Sequence, residues 1–109
     1  MGVLMEKLEI LNELKSLLVK EFGPRIDKVI LFGSQMNGDA HEFSDYDILI
    51  ILKDDYDWRY KNEILGVCYE IDLKYDIITD VTIISHKEME TLRGKQPFIQ
   101  DAIEHGVIV

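Results

Sequence analysis

Two short aliphatic runs, Val29-Ile30-Leu31-Phe32 and Ile48-Leu49-Ile50-Ile51-Leu52, constrain this chain more than any other feature. Both are rich in β-branched residues and too short for ordinary helices, so they read as buried strands. Between them stand Gly33-Ser34, ten further residues, and then Asp45-Tyr46-Asp47. A glycine-serine corner therefore closes one strand and two carboxylates open the next. Period-two alternation puts Asp45, Asp47, Leu49 and Ile51 on one face of the second strand, with Tyr46, Ile48, Ile50 and Leu52 on the other.

The rest of the chain supplies helices to cover these strands. Leu4, Leu8, Leu11, Leu14, Leu18 and Phe22 recur at steps of three and four, with Glu6, Lys7, Glu9, Asn12, Glu13 and Lys20 between them. That spacing predicts an amphipathic core helix over 4–22, stopped by Gly23-Pro24. A strand over 28–32 follows, then a short helical turn opened by Ser34, turn residues Gly38-Asp39-Ala40-His41, and a second strand over 45–52. The acidic stretch 53–57 caps a second long helix carrying Tyr60, Ile64, Val67, Ile71 and Tyr75. Gly66 inside that helix costs about 1 kcal/mol relative to alanine, which points to close packing there. Val81-Thr82-Ile83-Ile84 reads as a third strand, and Ser85-His86-Lys87-Glu88 as a capping box opening a short helix. Pro97 suits the first turn of a last helix with Phe98, Ile99, Ala102 and Ile103, ended by Gly106 before an edge strand at Val107-Ile108-Val109. The order predicts an α+β fold, a small mixed β-sheet with helices packed largely on one face.

Composition narrows the function. With 109 residues and 47% hydrophobic content, residues 1–109 read as one domain with a modest core. No apolar run approaches the roughly 20 residues of a membrane-spanning helix, and the N-terminus lacks the features of a secretory signal, so a cytoplasmic location is expected. The formal charge of −9 argues against a large nucleic-acid footprint, which would need clustered Lys and Arg. It does not oppose nucleotide binding, since a divalent cation bridges carboxylates to phosphates. The single cysteine, Cys68, sits in an apolar helical pattern and reads as a small buried hydrophobe. His41 and His86 fall in turns without a spaced partner, which makes a zinc site a poor fit. Trp58, Tyr60 and Tyr69 at helical spacing read as core or interface residues.

The corner and the carboxylates suit a metal-bound triphosphate. Mg²⁺ takes hard oxygen ligands, and Asp45 and Asp47 project the same way from one strand. Gly33 lets the main chain approach phosphates, while Ser34 offers a hydroxyl and a helix N-terminus. Either half alone is a weak signal; at this spacing, between two strands, they reinforce each other.

The segment Leu31-Phe32-Gly33-Ser34, Gly38-Asp39-Ala40 and Ser44-Asp45-Tyr46-Asp47-Ile48-Leu49-Ile50 resembles the G-S-x(10)-D-x-D signature of the DNA polymerase β-type nucleotidyltransferase superfamily. Size and element order resemble its minimal members, the MNT (MntA-like) domains. The resemblance implies the nucleotidyltransferase (DNA polymerase β-like) fold, Gly33 and Ser34 at the triphosphate, and Asp45 and Asp47 as catalytic metal ligands for two Mg²⁺. A third carboxylate on a later strand usually completes such a site. Family members place it inside the third strand, where Thr82 is nearest here; Asp80, two residues earlier on the same face, is the preferred candidate and Asp76 the second. The turn after Ser34 also departs from the pattern, with Gln35-Met36-Asn37 where relatives often carry basic residues.

By the same resemblance, the domain would move AMP from ATP onto a hydroxyl. At this size it lacks the helical second domain with which larger relatives bind acceptors, so a separate chain would hold the acceptor. The implied role is an MNT antitoxin that adenylylates a helical HEPN toxin, on tyrosine. The alternative is a module of this fold that neutralises a partner by contact alone, and a stand-alone nucleotide sensor ranks third. Homodimerisation through the terminal edge strand stays open.

Overall fold

A computed structural model of the chain describes residues 2–33 and 46–109, with side chains from Met5 onward. Ser34, the predicted turn at 38–41 and Asp45 lie outside the described residues. The elements are α1 (Gly2–Phe22), a 3-10 turn (Gly23–Arg25), β1 (Ile26–Phe32), β2 (Tyr46–Leu52), α2 (Trp58–Tyr75), β3 (Thr79–Ser85), α3 (His86–Met89), α4 (Pro97–His105) and β4 (Val107–Ile108). The sheet order is β3-β2-β1-β4, with β2 and β3 parallel and both β1 pairings antiparallel. It is a small mixed sheet packed with helices, as the α+β reading expected.

The aliphatic run 48–52 is buried throughout because β2 is an inner strand covered on both faces. Ile48, Ile50 and Leu52 face α1 and α2, in a cluster with Leu11, Leu14, Leu18, Ile64 and Ile71. Leu49 and Ile51 face the other way, against Ile30, Ile84 and the α4 residues Ile99 and Ala102. Each such side chain contributes about 2 kcal/mol relative to exposure. The two long helices do share one face, as expected, while the short α4 covers part of the opposite one.

Local signals produced their elements. Gly23 takes a left-handed φ of +64° and ends α1. The Asp57 carboxylate accepts the Tyr60 N–H at the start of α2, and Ser85 with Glu88 forms the reciprocal capping box. Pro97 opens α4 and Gly106 follows its last turn. Two strands are longer than predicted, because inter-strand pairing recruits residues that local preference does not: Ile26 pairs with Leu52, and Thr79 and Asp80 pair with Tyr46 and Asp47. At β3, the outer strand, the Ile83 carbonyl accepts from Arg93 Nη2 at 2.8 Å and from Tyr56 Oη at 3.1 Å. These side chains cap part of an edge that would otherwise invite pairing.

Three expectations need correction. Lys7 is not on the polar face of α1: it continues the Leu11–Leu14–Leu18 stripe one turn toward the N-terminus and is buried. Gly66 is not closely packed, since a Cβ built there meets nothing within 4 Å. Of the core-or-interface reading of the α2 aromatics, the core half fails for Trp58 and Tyr69, which are exposed, whereas Tyr60 packs edge-on against Phe22.

Cys68 is buried as expected, and burial, with a smaller push from Asp72, raises its thiol to about 12. The thiolate is the reactive form, so Cys68 should stay unlabelled by alkylating reagents near neutral pH and react once the chain unfolds. Rapid labelling of the folded protein would contradict the packing of α2.

Candidate active site

The site is built where β1 ends and β2 and β3 begin. Asp47, the second residue of β2, is flanked by Phe32 on β1 and by Asp80 on β3. In-register residues on parallel strands point to the same face, so the two carboxylates stand side by side on strands about 4.8 Å apart. They lie on the face that Leu49, Ile51 and Ile84 bury under α4 further along. Asp47 is half-buried and Asp80 exposed.

Gly33 completes this corner. It follows Phe32 directly and has φ +79°, a left-handed conformation that favours glycine. A Cβ at Gly33 would overlap the Asp47 carboxylate. The main chain therefore passes against a metal-ligating type of side chain at a point where no other residue fits.

Of the sequence-derived candidates, Gly33, Asp47 and Asp80 converge here. Ser34 and Asp45 lie outside the described residues. Asp76 does not join them: it is the left-handed cap of α2, with φ 54° and its N–H bonded to the Asp72 carbonyl. Thr82 pairs with Leu49, two residues deeper into the sheet. Asp72 braces the approach to β3 by accepting the Thr79 N–H at 3.1 Å on its side chain. The Tyr46 N–H donates to the Ile78 carbonyl at 2.7 Å, tying the start of β2 to the same approach.

The sequence reading missed Lys7 as a neighbour of this end of the sheet. Its Nζ lies 5.7 Å from the centroid of the Tyr46 ring. Counting from Leu18 through Leu14 and Leu11 toward the N-terminus would have landed on position 7 and flagged it. Burial raises the Tyr46 hydroxyl above its ordinary value, and Glu6 adds to the rise.

The donor set fits a hard divalent cation. Adjacent carboxylates on one sheet face repel each other, and a shared cation relieves that repulsion while offering further positions to phosphate oxygens. Among the described residues, no group of three or more His, Cys, Asp or Glu is arranged to hold a metal. Asp47 and Asp80 supply two such oxygen donors.

Comparison with known proteins agrees with this geometry. Residues 12–108 match the family described as "Polymerase beta, Nucleotidyltransferase". Two proteins of Methanocaldococcus jannaschii, each named "Putative protein adenylyltransferase", are 36% and 33% identical to this chain. The first match covers 96% of this chain and 100% of the relative, the second 93% and 91%. A solved structure described as a "putative nucleotidyltransferase from Sulfolobus solfataricus" superposes with a TM-score of 0.61 at 20% identity, covering 98% of this chain and 82% of that one. A structure of a mutant of the toxin–antitoxin MntA-HpeT gives 0.60 at 22% identity, covering 90% and 69%. Another, a toxin–antitoxin with AMP-PNP, gives 0.57 at 22% identity, covering 88% and 69%. The chain belongs to the polymerase β-type nucleotidyltransferase family, and it shares its fold with MntA.

Proposed function

We propose that this domain transfers AMP from ATP to a hydroxyl of a partner protein, acting as the antitoxin of a HEPN/MNT toxin–antitoxin pair. The observation that carries the proposal is the Asp47–Asp80 pair set in register beside a glycine whose missing side chain leaves room for the Asp47 carboxylate. The names of the two M. jannaschii relatives support protein adenylylation, and the AMP-PNP complex of a related fold supports an adenine nucleotide. Among the described residues no helix is long and apolar enough to cross a membrane, and a helical toxin is the partner expected.

In this reading the main chain at Gly33 and the Ser34 hydroxyl receive the triphosphate. Asp45, Asp47 and Asp80 would hold two Mg²⁺. Bound there, the ions supply charge to the triphosphate and to the departing pyrophosphate. Asp80 is the most exposed of the described acids in the site, so it faces the side from which an acceptor arrives. It orients the acceptor hydroxyl and takes up its proton as that oxygen bonds to the α-phosphate and the bond to pyrophosphate breaks.

The test is direct. Incubate the domain with ATP, Mg²⁺ and the helical protein encoded beside it, then weigh the partner. A mass gain of one AMP is expected. Asp80→Asn should slow the transfer by at least about a hundredfold with ATP still bound, while Asp76→Asn leaves it unchanged. An unmodified partner, under conditions where the domain binds ATP, removes the enzymatic reading.

A further inference from the structure

α2 carries apolar residues on two sides. Ile64, Val67, Cys68 and Ile71 are buried against α1 and the sheet. An α-helix turns about 100° per residue, so Trp58, Leu65, Tyr69 and Leu73 fall within a second sector about 80° wide and follow about 22 Å of the helix. Trp58, Tyr69 and Leu73 are 69%, 60% and 67% exposed, and Leu65 is half-buried. Steps of seven, four and four between large apolar side chains are the spacing with which one helix packs along another.

The stripe is turned away from α1. Lys74 and Tyr75 bond Glu13 of α1, and Tyr60 meets Phe22, all from the other side of α2. α1 packs against β1 and α2 against β3, the outer strand, so the stripe lies on the β3 flank of the domain. Because β2 and β3 are parallel, α2 runs back to the end where β3 begins, and Leu73 closes the stripe at the same end as Asp80. Asp80 is on the opposite face of the sheet, but no strand pairs with the far side of β3 among the described residues. A protein seated on α2 reaches Asp80 around that edge, past the exposed Ile78.

Charge selects the occupant. Residues 54–80 hold eight Asp or Glu against three Lys or Arg, and one of the three, Lys74, is held by Glu13 at 2.8 Å. Glu70 and Asp72 flank Tyr69 and Leu73. A second copy would bring these acids against its own, whereas a helix with Lys or Arg beside its apolar residues meets opposite charge.

We infer that the outer stripe of α2 is the docking surface for the acceptor protein, which seats there an amphipathic helix with an apolar seam and basic flanks. The inference rests on the reading above of a domain that modifies a partner protein. It separates two tasks: the stripe holds the acceptor chain, and the acid pair acts on its hydroxyl.

The helical protein encoded beside the domain is titrated with the full chain as wild type, Trp58→Ala, Tyr69→Ala, Tyr69→Glu and Glu70→Lys, with thermal melts and ATP titrations alongside. Both alanine variants should bind the partner at least about tenfold more weakly, and Tyr69→Glu more weakly still, with melting temperature and ATP affinity unchanged. Wild-type binding should weaken as salt is raised, and Glu70→Lys should weaken it at low salt and flatten that dependence. Wild-type partner affinity in both Tyr69 variants overturns the inference, as does binding indifferent to salt. A wild type that is dimeric in solution, and that Tyr69→Glu returns to monomers, assigns the stripe to a second copy and overturns it too. A wild type that binds the partner through the stripe but transfers no AMP sinks only the transfer reading. One that transfers AMP with the same KM for the partner in both Tyr69 variants sinks only this one, and a wild type that binds no partner sinks both.

Discussion

Asp47→Asn is expected to abolish nucleotidyl transfer, by about a thousandfold or more, without unfolding the protein. The amide keeps the shape of the carboxylate but surrenders the charge that a divalent cation would require at this position in the proposed reaction. Asp47 lies at the end of the sheet rather than in either core cluster, so the variant should remain folded, as a thermal melt would check, and the activity lost by folded protein can be assigned to chemistry. The double variant Asp45→Asn with Asp47→Asn separates catalysis from contact in cells. If it still neutralises the partner at full strength, the domain works by binding, and the transfer reading is wrong.

Gly33→Ala should be nearly as damaging to activity and should also destabilise. Two costs add. Alanine at φ +79° is strained by about 1–2 kcal/mol, and its methyl group would occupy the space of the Asp47 carboxylate. Either the strand end or the acid must move, and both belong to the site. The expected result is a melting midpoint lowered by several degrees, together with loss of ATP binding in protein that is still folded at the assay temperature. Gly66→Ala is the control, because nothing lies within 4 Å of its position and it sits inside α2. Alanine there should stabilise by up to about 1 kcal/mol and leave activity alone. Equal effects from the two substitutions would mean that Gly33 has no special place beside Asp47.

Much of this architecture is legible because it is local. Helix starts at Asp57, Ser85 and Pro97 depend on hydrogen bonds and dihedrals within one turn, and each appears where its residue type asks for it. The two aliphatic runs needed no partner to be read as strands. Lys7 escaped notice because Leu8 beside it fits a helical period equally well. Only the angle at which α1 meets the sheet decides which of the two is buried, and Lys7 is the more buried of them. Gly66 misled for a related reason: a helix propensity cost shows that a residue is unfavourable, not what stands next to it.

The chain's own order of residues determined that a strand ending in glycine precedes a strand opening on acids, and therefore that hard oxygen donors gather near a backbone corner. The sequence could only rank the further acids, Asp80 before Asp76; the fold decides which stands beside Asp47, because the cap of α2 claims Asp76 and the register of β3 against β2 delivers Asp80. That register depends on the length and packing of the intervening helix, and such long-range pairing leaves no mark on the short window from which a sequence is read.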